Sequence, residues 1–484
     1  MKVELVLPAM PSWQVGEGSS VPPLGLMYIA GVLNEAGHEV QITDQQGEDL
    51  SDEKLKEKIK KFDPGVIGYT TYTHFGRRAI KIADYIHEAI NPNVITIFGG
   101  FFATMNPKEI LGTSKSVDFC VRGEGEFTAL ELINALEKNQ DISKIRGITY
   151  KENGIIKATP DRPIIKDIDA LPIPDRNLVK GNHYGNYANM SIEKFTSLGT
   201  SRGCPFQCRF CLTTQWHKNI WRKRDFRKVA DEFEYLHDLG YKNALIVDDN
   251  INVSPKHVNR LSHELRKRKL DLNWFCEGRV GSGTAQMYNE MRRAGCKLIF
   301  LGIESGNQRI LDYFDKRATV EQARNTVKAI RKANIDMITA TFIVGSPTET
   351  LQEVHNTINF ALKLDIDIPL FGILNVFEGT ALWDEYLKQG HINPEEDWGK
   401  AIPVCDFHPD CLPRDTLVKL INRGYKKLLN SKKWVLKVML RALKSRFRLK
   451  MYLKNLDKRH TIKQRFRFAD ISQLDLYLED KEEN

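Results

Sequence analysis

The chain has 484 residues, 42% hydrophobic and 27% charged, with a formal net charge of +9. Such a length accommodates about three domains with their own cores, and the composition excludes disordered and fibrous classes. No run of about eighteen apolar residues exists to span a bilayer. The first residues, Lys2-Val-Glu-Leu-Val-Leu-Pro8, lack the pattern of a secretory leader. Eight cysteines at irregular spacing do not form a disulfide framework, so the expected location is a reducing cytoplasm.

Residues 1–145 alternate short β-rich runs (3–7, 38–43, 66–70 and 94–98) with amphipathic stretches at 24–36, 52–61, 77–89 and 127–137. That alternation predicts an α/β domain, a Rossmann-like (flavodoxin-like) parallel sheet covered on both faces. Ligands of such sheets bind beyond the carboxyl ends of the strands. Three features gather there: a Gly- and Ser-rich loop at 8–21, Thr70-Thr-Tyr-Thr73, and Gly99-Gly100 followed by Thr104. A glycine pair beside a small hydroxyl residue lets a ligand approach the backbone closely, although it also makes an ordinary turn.

Residues 146–195 are expected as a connector. The stretch 147–158 reads as a hairpin about Asn153-Gly154, and Pro160, Pro163, Pro172 and Pro174 suit an extended linker. From 196 to about 400 the strand–helix pattern resumes, with strands at 244–248, 274–277, 298–301, 337–344 and 371–376. This predicts a partial or full TIM-type β/α barrel with its chemistry at the strand ends. A first barrel strand at 195–199 leads into Ser201-Arg-Gly-Cys204-Pro-Phe-Gln-Cys208-Arg-Phe-Cys211.

Cys204, Cys208 and Cys211 have the spacing C-x3-C-x2-C. Soft thiolates this close suit an iron–sulfur cluster or zinc. Three cysteines are one short of a closed structural zinc site, which His217 would have to complete. Pro205 and Phe210 line the loop with apolar surface that shields a cluster from water. A cubane on three thiolates leaves one iron open for substrate chemistry. The other strand ends carry Asp248-Asp249-Asn250, Arg279, Gly302-Ile-Glu304-Ser-Gly306 and Gly345-Ser-Pro347-Thr-Glu349-Thr350. Cys120, Cys276, Cys296, Cys405 and Cys411 read as small buried residues, with Cys405, His408 and Cys411 a sparser second metal motif.

Residues 401–484 are expected as a basic helical region. Between Ser431 and Arg467 stand fourteen Lys or Arg and one Asp, so this segment carries +13 and the remainder 9 − 13 = −4. A helix from Trp434 to Phe447 sets Val435, Met439, Leu443 and Phe447 on one stripe among Lys437, Arg441, Lys444 and Arg448. Such a helix either packs on the barrel with a solvated basic face or, within 431–467, makes a peripheral contact with the inner face of a membrane. No aromatic-stacking module or repeat points to nucleic acid.

The stretch G-C-P-x-x-C-x-F-C resembles the cluster loop of radical S-adenosylmethionine (SAM) enzymes, and the strand-end motifs follow in that family's order. The resemblance implies that Cys204, Cys208 and Cys211 ligate a [4Fe–4S] cluster whose open iron chelates SAM and cleaves it to a 5′-deoxyadenosyl radical. It implies SAM contacts from Phe210, Asp248 (methionine amino group), Arg279 (carboxylate), Glu304 (ribose hydroxyls or amino group) and the backbone at Gly345 (adenine). The run Pro22-Pro-Leu-Gly-Leu-Met-Tyr-Ile-Ala30, with Gly99-Gly100, Ala103-Thr104, Pro107 and Val121-Arg-Gly-Glu-Gly-Glu126, resembles the cobalamin-binding domain of one subfamily. That subfamily includes cobalamin-dependent methylases and the anaerobic magnesium-protoporphyrin monomethyl ester cyclase. Thr71, Gly99, Gly100 and Thr104 would cradle cobalamin. No D-x-H-x-x-G stretch occurs, so no protein histidine is expected below the cobalt, and Phe101-Phe102 stand where the subfamily often has His. A domain of this fold that has lost cobalamin is the alternative.

The expected function is radical functionalisation of an unactivated carbon, with C-methylation first and oxidative cyclisation of a tetrapyrrole or lipid-like substrate as the alternative. A non-catalytic corrinoid or metal-binding carrier or sensor is the alternative of another class. The expected partners are a small-molecule substrate, hydrophobic if the basic helix meets a membrane, and an electron donor such as flavodoxin or ferredoxin. No catalytic residue beyond the cofactor contacts is assigned.

Overall fold

The computed structural model describes residues 1–9, 21–90, 93–179, 184–187 and 190–454. Most of the loop expected at 8–21, and the basic segment past 454, lie outside the described residues. The strands β1 (Lys2–Leu7), β2 (Glu39–Asp44), β3 (Val66–Thr70), β4 (Ile95–Gly99), β5 (Phe119–Val121), β6 (Ile148–Glu152) and β7 (Ile155–Ala158) form one sheet in the order 2-1-3-4-5-6-7. The first five are parallel, in the flavodoxin arrangement. The central strands β1 and β3 are buried on both faces, Val3, Leu5, Val6, Val66, Ile67 and Tyr69 among them, because helices cover both sides of the sheet. α1 (Leu24–Glu35) and α6 (Glu126–Glu137) bury one face, and α2 (Asp52–Phe62), α3 (Gly76–Ile90), α4 (Phe101–Met105) and α5 (Pro107–Thr113) bury the other.

The hairpin turns on Asn153 and Gly154, at φ 52° and 78°, the backbone that a two-residue turn between twisted strands requires. It is not a connector. β6 pairs antiparallel with β5, and Ile148 and Tyr150 enter the core of the first sheet.

β8 (Phe195–Leu198), β11 (Asn243–Ile246), β12 (Asn273–Arg279), β13 (Cys296–Glu304), β14 (Met337–Val344) and β15 (Ile368–Ile373) form a second sheet, all parallel and in chain order. No pairing joins β15 to β8 among the described residues, so the barrel is partial. Its outer wall is α7 (Phe226–Asp238), α8 (Pro255–Arg268), α9 (Ala285–Arg293), α11 (Val320–Lys332) and α12 (Leu351–Lys363), packed through residues such as Phe233, Leu261, Met291 and Ile330. A two-stranded ribbon, β9 (Ser201–Arg202) with β10 (Arg222–Lys223), rises from the end of β8 and carries the cysteine loop at its tip. α10 (Gln308–Tyr313) and α13 (Ala381–Lys388) flank that loop.

Three helices end the described chain: α14 (Arg414–Leu429), α15 (Lys432–Leu443) and α16 (Arg446–Lys454). α16 closes the amino end of the barrel. Phe447 and Met451 pack on Phe195, Leu245, Phe275, Leu298 and Met337, the inward residues at the starts of the strands. α15 meets the barrel through charge, with Arg441 on Asp365 and Asp367 and Lys437 on Asp365. Leu436, Met439, Leu440 and Leu443 are left 51% to 74% exposed. Lys432, Lys433, Lys437 and Lys444 stay exposed, so the solvated basic face expected here is present, and the apolar stripe is exposed beside it. Two carboxylates between α12 and β15 hold Arg441 against the barrel and pair with the exposed Lys437, and the apolar stripe turns out.

Asp367 is the centre of that docking. It is 1% exposed and takes Arg331 at 2.6 Å, Arg448 at 2.9 Å and the amide of Ile338 at 2.8 Å. Burial opposes its charge, but Arg331 and Arg448 overcome this and hold its pKa below the ordinary carboxylate value. Asp367→Asn should cost about 3–5 kcal/mol, read as a fall in thermal midpoint, because it strands buried guanidinium groups. With a depressed native pKa, the Asp367 contribution is present above the ordinary carboxylate pKa. It is lost as pH falls through the native value, so the variant should have a shallower acid limb in its stability–pH profile.

Candidate functional site

The carboxyl ends of the two parallel sheets face each other. Phe101, just past β4, stacks on Trp216 of the cysteine loop with centroids 5.9 Å apart, and His74, past β3, meets Phe377, past β15, at 5.5 Å. Phe102 stacks on Trp398 at 6.0 Å. A Cβ on Gly76 or Gly399 would come within 2.3 or 2.5 Å of the Phe102 ring, so glycines let this plug seat. The Phe101-Phe102 pair thus belongs to the interface between the sheets.

A buried ionic network holds the same interface. Glu124 takes Arg202 at 2.9 Å and Arg222 at 2.8 Å, and Glu126 takes Arg202 at 2.6 Å. Arg202 also lies over the Tyr28 ring at 5.1 Å. Burial opposes the charge on Glu124, but its two arginines win and lower its pKa. Arg222 continues to His217 Nδ1 at 2.9 Å, and His217 Nε2 lies 3.6 Å from Asp249. The G-E-G-E stretch of the first domain therefore grips both strands of the ribbon that carries the cysteines.

The loop itself is fixed at its base. Asp248, 2% exposed, accepts the amide of Thr200 at 2.6 Å, that of Ser201 at 3.0 Å, and both hydroxyls. Asp249 accepts the Gly203 amide at 2.7 Å and the Thr213 hydroxyl at 3.0 Å, tying one side of the loop to the other. Gly203 stands at φ 87°, where a Cβ would lie 2.1 Å from the Ile220 carbonyl oxygen, so only glycine fits. Farther along, the Arg209 amide donates to the Phe314 carbonyl at 3.0 Å, and its guanidinium binds the Tyr313 carbonyl and Glu385. Phe210 packs edge-on against Phe314 at 5.1 Å.

Cys208 is 7% exposed, while Cys204 and Cys211 are half-buried. Burial raises the pKa of Cys204 and Cys211, so without a metal these are thiols. Arg279 Nη1 lies 3.5 Å from the Cys208 sulfur and its guanidinium lies 3.8 Å from the Phe206 ring centroid. Asn250 Nδ2 lies 3.9 Å from the Cys204 sulfur. Arg279 Nη2 and Asn250 Oδ1 are both buried without a partner. Orphaned polar atoms beside three thiols fit a charged bound group, since buried polar atoms otherwise find partners. No three His, Cys, Asp or Glu among the described residues converge as ligands of a single metal ion. A zinc site completed by His217, and one at Cys405, His408 and Cys411, therefore find no support. A cubane takes each thiolate on a different iron and needs no such convergence.

The other expected SAM residues are placed unevenly. Glu304 stands at φ 69°, 5% exposed, and receives Lys316 at 2.6 Å and the Thr341 hydroxyl at 3.3 Å. A Cβ on Gly302 would come 2.5 Å from the Glu304 carboxylate, so that glycine makes room for the ion pair. The Gly345 amide donates to Glu349 at 2.7 Å, and burial lifts Glu349 to about 7. Asp248 departs from its expected role: its oxygens are taken up by Thr200 and Ser201. Lys316 was not singled out in the sequence, and Asn250, Glu124, Glu126 and Arg202 stood there only within motifs, without the contacts seen here. Glu378, at the interface beyond β15, was not singled out either; burial and Glu109 hold it at about 7, and its Oε2 is buried without a partner.

At the ends of β3 and β4 the hydroxyls brace the backbone. Thr71 Oγ1 donates to the Gly99 carbonyl at 2.8 Å, and Thr104 Oγ1 joins the Gly100 carbonyl at 2.9 Å to the Gly123 amide at 3.0 Å. Gly100, at φ 90°, would set a Cβ 2.6 Å from the Thr71 carbonyl oxygen, whereas a Cβ on Gly99 would meet nothing closer than 4.0 Å. The result is an open, backbone-lined floor that suits close approach of a bulky ligand.

The chain is similar to known proteins in sequence and in fold. The model of the radical SAM superfamily matches residues 198–361, and that of the B12 binding domain matches residues 18–133. Over 406 residues, 84% of this chain and 87% of the relative, the chain is 36% identical to an uncharacterized methyltransferase of Pyrococcus horikoshii. The chain belongs to the radical SAM superfamily.

This radical SAM enzyme uses a [4Fe–4S] cluster, SAM and cobalamin as cofactors, and the reading as a non-catalytic carrier falls. It is 28% identical over 449 residues, 89% of this chain and 78% of the relative, to the anaerobic magnesium-protoporphyrin IX monomethyl ester cyclase of Rubrivivax gelatinosus. In fold it is similar to TsrM of Kitasatospora setae, a radical SAM methyltransferase, with a TM-score of 0.69 at 19% identity over 80% of this chain and 76% of that one. No helix among its described residues is long and apolar enough to cross a membrane.

Proposed function

We propose that this radical SAM enzyme methylates an unactivated carbon of a small molecule between its two domains. The observation that supports the reading is the opposition of the two sets of strand ends, where Phe101 meets Trp216 of the cysteine loop and His74 meets Phe377. When bound, the cluster and SAM supply a carbon-centred radical by hydrogen abstraction, and cobalamin supplies the methyl group. Cys204, Cys208 and Cys211 hold the cluster, with Phe210 shielding it. Arg279, with one free guanidinium nitrogen, receives the SAM carboxylate by a charge-assisted bond. Glu304 and the Gly345 backbone line the remaining SAM contacts, with Glu304 held in its buried ion pair by Lys316. Thr71, Gly99, Gly100 and Thr104 shape the cobalamin floor. Phe101, Phe102, Trp216 and Trp398 exclude water from the space between the domains.

An electron donor of the flavodoxin or ferredoxin type reduces the cluster in this reading. The outward apolar stripe of α15, within the segment 431–467, rests on a membrane surface from the cytoplasmic side and suits a hydrophobic substrate. Oxidative cyclisation is the second reading, favoured by similarity to the cyclase along 89% of the chain. The test is anaerobic purification from cobalamin-supplied cells, followed by turnover with SAM carrying a deuterated methyl group and pooled candidate substrates. A product that gains the deuterated methyl supports methylation. A product that loses hydrogens without gaining the label sinks it in favour of cyclisation.

A further inference from the structure

A cavity of about 360 Å³ opens on the rim of the barrel between the first turns of α7 and α8, lined by Lys223, Arg224, Asp225, Arg227, His257 and Arg260. Four of these side chains are cationic and one is acidic. The acid is committed: Asp225 caps α7 by accepting the Arg227 amide at 2.8 Å. Arg224 is committed to Glu232 and Asp169. Lys223 and Arg260 have no ion-pair partner among the described residues, and Arg227 reaches only Asp225, at 3.9 Å.

Neither α7 nor α8 has an acidic residue in its first turn. Both amino ends are capped, α7 by Asp225, whose own amide Asp169 accepts, and α8 by Ser254, but cations outnumber carboxylates around the cavity, a balance that favours entry of an anion at the positive ends of two helices. His257 is the second, independent sign. It is 4% exposed, yet its Nε2 is buried without a partner. Its ring stands edge-on to Trp221 at 6.1 Å, and the Trp221 Nε1 is also buried without a partner. Burial, then Lys223, push the His257 pKa down to about 4, which leaves a neutral ring among cations.

We propose that this cavity binds a phosphoryl or diphosphoryl group, carried either by the tail of the substrate or by a free anion. Planar guanidinium groups and helix amino termini recognise the oxygens of such a group. The location suits a substrate tether. Lys223 pairs with Ser201 across the ribbon, so the cavity borders the strand that lies beside the one feeding the cysteine loop. The assignment stands apart from the choice between methylation and cyclisation.

The experiment titrates inorganic diphosphate into the cobalamin-loaded, cluster-containing protein, read by calorimetry and by ³¹P line broadening. Lys223→Glu/Arg260→Glu, two exposed positions, serves as the comparison, with thermal melting as the control for folding. Saturable binding that weakens at least about tenfold in the double variant, as loss of charged hydrogen bonds requires, supports the site. His257→Phe should weaken it as well. A parallel assay of 5′-deoxyadenosine formation without substrate separates the sources. A diphosphate effect on that rate in the unaltered protein alone marks a free effector, and binding without such an effect marks a substrate tail. Absence of saturable binding, or equal affinity in the folded double variant, overturns the proposal.

Discussion

Cys208→Ala is expected to purify without iron–sulfur absorption and to form no 5′-deoxyadenosine above the protein-free level, and Cys204→Ala and Cys211→Ala should behave alike. The loop offers three thiols, and nothing nearby can replace one. His217, the nearest imidazole in sequence, is held by Arg222 and Asp249. Arg279 and Asn250 touch the sulfurs as donors. Burial keeps Cys204 and Cys211 as thiols, so an iron–sulfur unit must displace protons and bind at several points at once to be retained. Cys405→Ser, outside the loop, should keep its cluster and serves as the control. A Cys208→Ala protein with full iron content and unchanged SAM cleavage would contradict the ligand assignment.

The second large effect is expected at Asp248. Asp248→Ala should lower stability by roughly 3–5 kcal/mol, since it leaves the buried amides and hydroxyls of Thr200 and Ser201 without their charged acceptor. These two residues begin the cysteine loop, so cluster retention should fall along with the thermal midpoint. Asp248→Asn separates a clamp from a SAM contact. Replacing one carboxylate oxygen by a donor should lower the midpoint and cluster content, while SAM affinity per intact cluster stays unchanged. A tenfold loss of SAM affinity at unchanged midpoint and cluster content would instead return Asp248 to the methionine amino group.

Glu124 and Glu126 give the domain arrangement a physical basis. They sit 4% and 6% exposed and neutralise Arg202 and Arg222 on the ribbon below the cysteines. A buried charge without its partner costs several kcal/mol, so separating the domains is unfavourable unless water enters the network. From Arg222 the contacts run through His217 and Asp249 to the Gly203 amide. The seating of the first domain and the shape of the cysteine loop therefore share one set of bonds.

Local sequence determined much of this protein. The strand–helix alternation specified two parallel sheets because strands buried on both faces must be continuously apolar. Asn153-Gly154 specified a tight hairpin because few residues accept positive φ. The cysteine spacing marked a cluster of soft ligands, and its resemblance to the radical SAM loop pointed to iron–sulfur, because short-range ligand spacing is written directly in the chain. What the tertiary structure decided depends on partners distant in sequence. The carboxylate of Asp248 reads as a cation-binding group until Thr200 and Ser201 are seen to occupy it. Glu304 reads as a free acceptor until Lys316, from beyond α10, arrives at 2.6 Å. The periodicity of α15 marks an apolar stripe but does not say which side packs. Asp365 and Asp367, far earlier in the chain, anchor the helix through Arg441 and Lys437 and leave Leu436, Met439, Leu440 and Leu443 in solvent. Periodicity reports the pattern within an element; the charge on the surface that receives it decides which face is buried.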